Sequence, residues 1–117
     1  KSDTFYMIKT YDVKLLEPVI EFLDSLEEQE RDKIIFNIKK AKASNDKELF
    51  KKLNGEIWEF RTFFNKKQFR LLAFWDKGKD QETLVIATHG FVKKSKKTPK
   101  NEIERAEKIR TAYFSQK

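Results

Sequence analysis

The stretch Thr83-Leu84-Val85-Ile86-Ala87-Thr88-His89-Gly90-Phe91-Val92-Lys93-Lys94-Ser95-Lys96-Lys97-Thr98-Pro99 changes character along its length. Its first half is rich in β-branched and apolar residues and reads as a strand from Thr83 to His89. A turn is expected at Gly90, after which the chain runs into a lysine cluster. Thr98-Pro99 then opens a last helix, with Thr98 as the expected cap and Pro99 at the first helical position. The stretch therefore sets His89, the only histidine, beside Lys93, Lys94, Lys96 and Lys97. Imidazole titrates near neutral pH, and the ammonium groups suit a phosphodiester. A run of lysines without an acid is either a solvated loop or a nucleic-acid contact. Anchorage between a strand and a helix favours the contact.

Upstream, two more strands point to the same area. After the Asn54-Gly55 turn, Ile57 to Phe63 alternates, with Trp58 and Phe60 on one face and Glu59 and Arg61 on the other. Asn65-Lys66-Lys67 reads as a hairpin loop. Gln68 to Trp75 then places Phe69, Leu71, Ala73 and Trp75 on one face and Arg70, Leu72 and Phe74 on the other. A second turn is expected over Asp76–Asp80. In such a hairpin Arg61 and Arg70 lie close across the pair. A phosphate between them would relieve their repulsion through bidentate hydrogen bonds. Alternatively, Glu59 pairs with one of them as an ordinary cross-strand salt bridge. His89 is the candidate acid or base, with Glu59 as the substitute, although a lone strand histidine is more often structural. Phe91 and Tyr113 offer stacking faces for an unpaired base, and Phe91 equally suits a core.

The N-terminal half reads as scaffold. Thr4–Lys9 is expected to be a first strand. From Leu15 the apolar residues Leu15, Leu16, Val19, Phe22, Leu23 and Leu26 adopt helical spacing, with Pro18 in the first turn. A second helix is expected from about Glu28 to Ala43, burying Ile34, Ile35, Ile38 and Ala41. Ser44-Asn45-Asp46 breaks it and leads into a short turn through Phe50. In the last helix Ile103, Ala106 and Tyr113 share a side. The expected order is β-α-α-β-β-β-α: an α+β domain with an antiparallel meander packed by helices.

The 117 residues form one expected domain, 1–117, long enough to bury a modest core. No cysteine is present, so disulfides and thiolate chemistry are excluded. One histidine and no cysteine make a metal site unpromising, and no cofactor is implied. The absence of a membrane-length apolar run or a signal-peptide pattern points to a cytoplasmic protein. The net charge of +7 is unevenly placed: −2 over residues 1–50, +8 over 51–100 and +1 over the rest. The positive charge thus falls on the sheet and loop half, and a polyanion, most simply nucleic acid, is the natural partner.

Four motifs in order carry a resemblance: Trp58-Glu59-Phe60-Arg61; Phe69-Arg70-Leu71-Leu72; His89-Gly90-Phe91-Val92-Lys93-Lys94; and Lys97-Thr98-Pro99 followed by Glu102-Ile103-Glu104 and Ala106. Together they resemble the phage-derived HigB-like branch of the RelE/ParE type II toxin superfamily over about residues 50–114. The resemblance implies a RelE-like, microbial-ribonuclease-like fold and a toxin–antitoxin toxin. It further implies ribosome-dependent cleavage of mRNA by 2′-OH attack without metal. It places Arg61 and Arg70 on the scissile phosphate, Lys93 and Lys94 on RNA backbone, and His89 or Glu59 at proton transfer, with Tyr113 near the C-terminal helix end. Lys96, Lys97 and Phe91 complete the expected RNA-binding set. The implied partners are the ribosome, mRNA and an antitoxin of helix-turn-helix type. A single histidine excludes a two-histidine acid/base pair. A ParE-like poison of DNA gyrase and a non-catalytic basic nucleic-acid-binding module are the alternatives.

Overall fold

The computed structural model describes residues 11–78 and 81–116. The elements run β1 (Asp12–Leu15), α1 (Glu17–Asp24), α2 (Glu28–Ser44), β2 (Phe50–Asn54), β3 (Ile57–Phe64), β4 (Lys67–Gly78), β5 (Gln81–Lys93) and α3 (Lys100–Ser115). The strands form one five-stranded sheet in the order β1-β5-β4-β3-β2, antiparallel except that β1 pairs in parallel with β5.

The α+β architecture is as expected, but its order is not. The sheet is mixed rather than a pure meander, and a strand precedes the β3–β5 meander. The strand expected at Thr4–Lys9 lies outside the described residues. Leu15, expected in a helix, ends β1, and α1 starts at Glu17 with Pro18 in its first turn, where a missing N–H costs little. Phe50, expected in a turn, opens β2. The Asn54-Gly55 corner, with Gly55 at φ +56°, closes a β2–β3 hairpin, and a tight turn of that kind needs a strand on both sides.

Local chemistry sets the β3–β4 register. Asn65 and Lys66 have φ of +59° and +63°, the pair of left-handed residues of a type I′ turn, whose twist matches the flanking strands. Counting back from it places Arg61 opposite Arg70. On β5 the pairing slips between Leu72↔His89 and Ala73↔Ala87, which makes Thr88 the extra residue of a bulge. That bulge restores the parity of the pleat, so Ile86 and His89 share a face. β5 does not turn at Gly90 but continues to Lys93. Gly90 faces α1 because a Cβ there would come within 2.3 Å of Phe22 Cδ2 and 2.6 Å of Leu71 Cδ2. It is a close-approach glycine.

The two faces of the sheet are covered unequally. One carries Phe60, Phe69, Leu71, Ala73, Val85 and Ala87, packed beneath Val19 and Leu23 of α1 and Ile34, Ile38 and Ala41 of α2. Lys67 donates to Glu30 Oε2 at 2.9 Å and ties the β3–β4 hairpin to the first turn of α2. On the other face, Ala106 of α3 seals Ile57, Leu72, Phe74 and Ile86, all fully buried. The helix ends over β4, where the Tyr113 hydroxyl donates to Asp76 Oδ2 at 2.8 Å and its ring meets Phe74 edge-on. The same face also carries Glu59, Arg61, Arg70 and Lys93, beyond the start of α3.

Candidate functional site

The pleat projects Glu59 and Arg61 from β3 and Arg70 from β4 to one side. Arg61 and Arg70 stand opposite each other, and both turn Nε toward Oε1 of Glu59, at 3.7 and 3.4 Å. The arginines are neighbours as expected, and of the two alternatives for them the structure shows the Glu59 pairing, made with both arginines rather than one. Glu59 and Arg70 are buried, whereas the Arg61 side chain is 29% exposed. Arg70 donates from Nη1 to the Phe69 carbonyl and from Nη2 to Gln68 Oε1, both at 3.0 Å, while its Nε makes no hydrogen bond among the described residues. Burial lowers its pKa, Glu59 opposes that shift and Arg61 adds to it. A guanidinium nevertheless stays charged in a protein.

The second oxygen of Glu59 is held from the lysine loop. Thr98 does not cap α3, whose N-cap is Pro99; its hydroxyl donates to Glu59 Oε2 instead. The loop is braced internally by Lys93 Nζ on the Lys96 carbonyl at 3.0 Å and Ser95 Oγ on the Lys97 carbonyl at 2.7 Å. A groove of about 460 Å³ results, floored by Glu59 and Arg61, with Lys93, Lys96 and Lys97 on one wall and Lys51 and Lys52 of β2 on the other. Burial lowers the pKa of Lys93, and Arg70 and Arg61 reinforce the shift against Glu59. Sequence reasoning misses Lys51 and Lys52 because it ends a short turn at Phe50 and assigns no strand before Asn54-Gly55; the Asn-Gly corner behind them is the signal that could find them.

The remaining expected residues lie elsewhere. Lys94 is exposed outside the groove. His89 is 1% exposed. It shares a row across the sheet with Leu72 and Glu59, two strand spacings or roughly 10 Å from Glu59, with the Leu72 side chain between. Its Nε2 lies 3.0 Å from Glu102 Oε1 and its Nδ1 3.0 Å from Thr88 Oγ1, which also donates to the Leu72 carbonyl. One hydroxyl proton cannot serve both partners. Either Thr88 turns to Nδ1 and a neutral imidazole donates to Glu102, or both ring nitrogens carry protons. Burial lowers the His89 pKa, the Glu102 bond opposes it, and Arg105 adds to the lowering.

Phe91 stacks on His89, with ring centroids 5.9 Å apart, and packs with the α3 core. It is half-buried core, the second of its two expected roles. Tyr113 stands over Asp76, six strand positions from Arg70, about 20 Å, and does not face the groove. Burial and the Asp76 bond push its phenol pKa up to about 12. Among the described residues no three His, Asp or Glu side chains converge as metal ligands, and no helix is long and apolar enough to cross a membrane.

Residues 21–111 match the family described as Phage derived protein Gp49-like (DUF891), and the chain belongs to that family. No curated protein matches at a significant level. Among solved structures, the fold is similar to a double-arginine mutant of the E. coli toxin RelE in the free state, with TM-score 0.59 and 15% identity over 86% of this chain and 97% of that one. An archaeal RelE–RelB complex from Pyrococcus horikoshii OT3 gives TM-score 0.49 at 14% identity over 77% of this chain and 100% of that one. The first of these two likenesses shows a RelE-like fold.

Proposed function

We propose that this Gp49-like chain is the toxin of a toxin–antitoxin pair and cleaves mRNA on the ribosome without a metal ion. The observation that carries the reading is Glu59, held between Arg61 and Arg70 on the floor of a lysine-walled groove. The groove lysines and Arg61 attract a phosphodiester backbone, and a width open to solvent suits a single strand. In cleavage, Glu59 takes the proton of the ribose 2′-OH and the 2′-oxygen attacks the adjacent phosphorus. The bond to the 5′-oxygen breaks, and Lys93, whose ammonium is acidified by its surroundings, returns a proton to that oxygen. The products are a 2′,3′-cyclic phosphate and a free 5′-OH. Arg61 hydrogen-bonds the non-bridging oxygens as charge builds on them, and Arg70 holds Glu59 from beneath. His89 acts through Glu102, anchoring the start of α3 and with it the wall that carries Thr98. A cytoplasmic antitoxin of helix-turn-helix type that covers the basic groove is the partner this reading implies.

Induced expression of the wild type, Arg61→Ala and Glu59→Gln, with mapping of mRNA 5′ ends within minutes, tests the proposal. New ends inside translated frames, absent in both variants and when translation is blocked, are expected. Growth arrest with intact mRNA would replace the nuclease with a gyrase-type poison. No arrest at all would leave a binding module.

A further inference from the structure

A second cleft lies on the other side of Arg61. β2 covers β3 only as far as Phe60, with one further bond from Arg61 N–H to the Leu49 carbonyl. Beyond that point β3 is a sheet edge among the described residues, and α2 passes beside it. The space between them, about 420 Å³, is lined by Lys33 and Lys40 of α2, by Arg61 and Phe63 of β3, and by Arg70. Asn37, one turn from each lysine, donates to Thr62 Oγ1 at 3.1 Å and fixes the helix against the strand. Lys33 and Lys40 therefore stand on a rigid frame.

The charge of this cleft is one-sided. Among the described lining residues two lysines and two arginines face one acid, the exposed Glu48; the arginines share Glu59 from the groove side, and Lys33 and Lys40 supply the remaining positive charge. From Lys33 to Ser44, α2 carries four lysines and no acid. Arg70, 2% exposed, closes the inner end of the cleft, with its Nε turned to Glu59 Oε1 at 3.4 Å and its Nη2 donating to Gln68 Oε1 of the cleft lining. One large apolar ring is left in solvent in the cleft lining, Phe63, 62% exposed; a second, Phe36, 56% exposed, lies outside the lining next to Lys33, whose Nζ is 5.2 Å from its ring centre. Exposed rings beside a cationic track are the elements of single-strand recognition, in which bases stack and lysines follow the backbone. An acidic peptide would satisfy the lysines but leave both rings unused. Arg61 lines both clefts, so one strand leaving the groove meets this surface next.

We propose that the cleft between α2 and the open end of β3 is a second RNA subsite, in which Lys33 and Lys40 hold backbone phosphates flanking the segment in the groove and Phe63 stacks a base. The proposal rests on the reading of the groove as an RNA site. It extends the footprint around the edge of the sheet.

Binding of labelled oligouridylate tests it, with a trinucleotide that fills one subsite and a dodecanucleotide within the span of single-strand sites, about 4–16 nucleotides. Lys33→Gln/Lys40→Gln is compared with Lys77→Gln/Lys108→Gln, which removes the same charge from surfaces outside both clefts. For the dodecanucleotide, the slope of log affinity against log salt is expected to flatten by about 1.4 in the first variant, 0.7 for each phosphate no longer neutralised. It is expected to stay unchanged in the second variant, and the trinucleotide should be unaffected by either. Equal slopes in the two variants would overturn the subsite. So would loss of oligoglutamate binding in Lys33→Gln/Lys40→Gln with RNA binding intact, which would make the cleft a seat for an acidic protein segment. Lys51→Gln/Lys97→Gln, with Lys51 paired in register to Glu59 on the groove face, reports separately on the groove and should weaken both oligonucleotides. If neither oligonucleotide binds the wild type, the groove reading falls, and the subsite with it.

Discussion

Thr98 and Glu59, thirty-nine positions apart in the chain, are joined by a hydrogen bond from the threonine hydroxyl to the carboxylate. This bond closes the lysine loop over the groove floor. It links the element that carries Lys93, Lys96 and Lys97 to the strand that carries Arg61. Thr98→Val removes a bond to a charged acceptor, and a loss of roughly 1.5–3 kcal/mol is expected. RNA cleavage should fall further than stability alone accounts for, because the loop loses its register on the floor. Thr98→Ser keeps the hydroxyl and should restore both, as thermal unfolding and 5′-end mapping would read.

Glu59, Arg61 and Arg70 form one cluster but should respond differently to substitution. Arg70 is buried, and Glu59 is the carboxylate its Nε approaches. Glu59→Gln therefore strands a buried cation, at an expected cost of about 3–5 kcal/mol. Arg61 is partly solvated, and Arg61→Ala should cost less than about 1 kcal/mol while abolishing cleavage. Denaturant unfolding of the two variants separates these effects. A large destabilisation by Arg61→Ala would contradict the assignment of Arg61 to substrate.

Gly90→Ala tests the packing of α1 on β5. The added methyl meets the Phe22 ring and Leu71 at distances that real Cβ atoms do not show. Overpacking of this kind costs typically about 1–3 kcal/mol. Since two of the three short contacts are to the Phe22 ring and the third is to Leu71, Phe22→Leu in the same chain should recover part of the loss, a coupling that a double-mutant cycle reads directly. Additive losses would mean that the backbone, not Phe22, had absorbed the methyl.

Acid should weaken the fold in two stages. His89 is held below its ordinary value of 6.5, first by burial, so the unfolded chain binds the extra proton first. Stability is then lost as pH falls below 6.5 and levels off once the folded pKa is passed. Glu30 is held below its ordinary 4.5, first by the hydrogen bond from Lys67. Its contribution is complete above 4.5 and is lost as pH falls through the folded pKa. Melting temperature against pH should lose its upper stage in His89→Gln and part of its lower stage in Glu30→Gln. An unchanged upper stage in His89→Gln would place that titration elsewhere.

Much of the fold is legible in the chain because its signals are local. Alternation assigns the faces of β3 and β4, and helical spacing assigns Val19, Leu23, Ile34 and Ile38 to a core that does bury them. The hairpin between these strands is legible too, but its register is not: the loop expected over Asn65-Lys66-Lys67 is a two-residue turn at Asn65-Lys66, and that one-residue difference sets Arg61 opposite Arg70. What needed the tertiary structure depends on contacts distant in sequence. The parallel pairing of β1 with β5, the bulge at Thr88 and the burial of His89 against Glu102 have no periodic signature. Thr98 had a competing local use as a cap, and packing decided for Glu59. Lys33 and Lys40 sit in a half with a net negative charge and meet Arg61 only because α2 docks beside the uncovered end of β3. Sequence pattern determined which residues share a strand face or a helix side, because backbone geometry repeats over two or four residues. Tertiary packing decided which faces meet, because hydrophobic burial is satisfied between segments far apart in the chain.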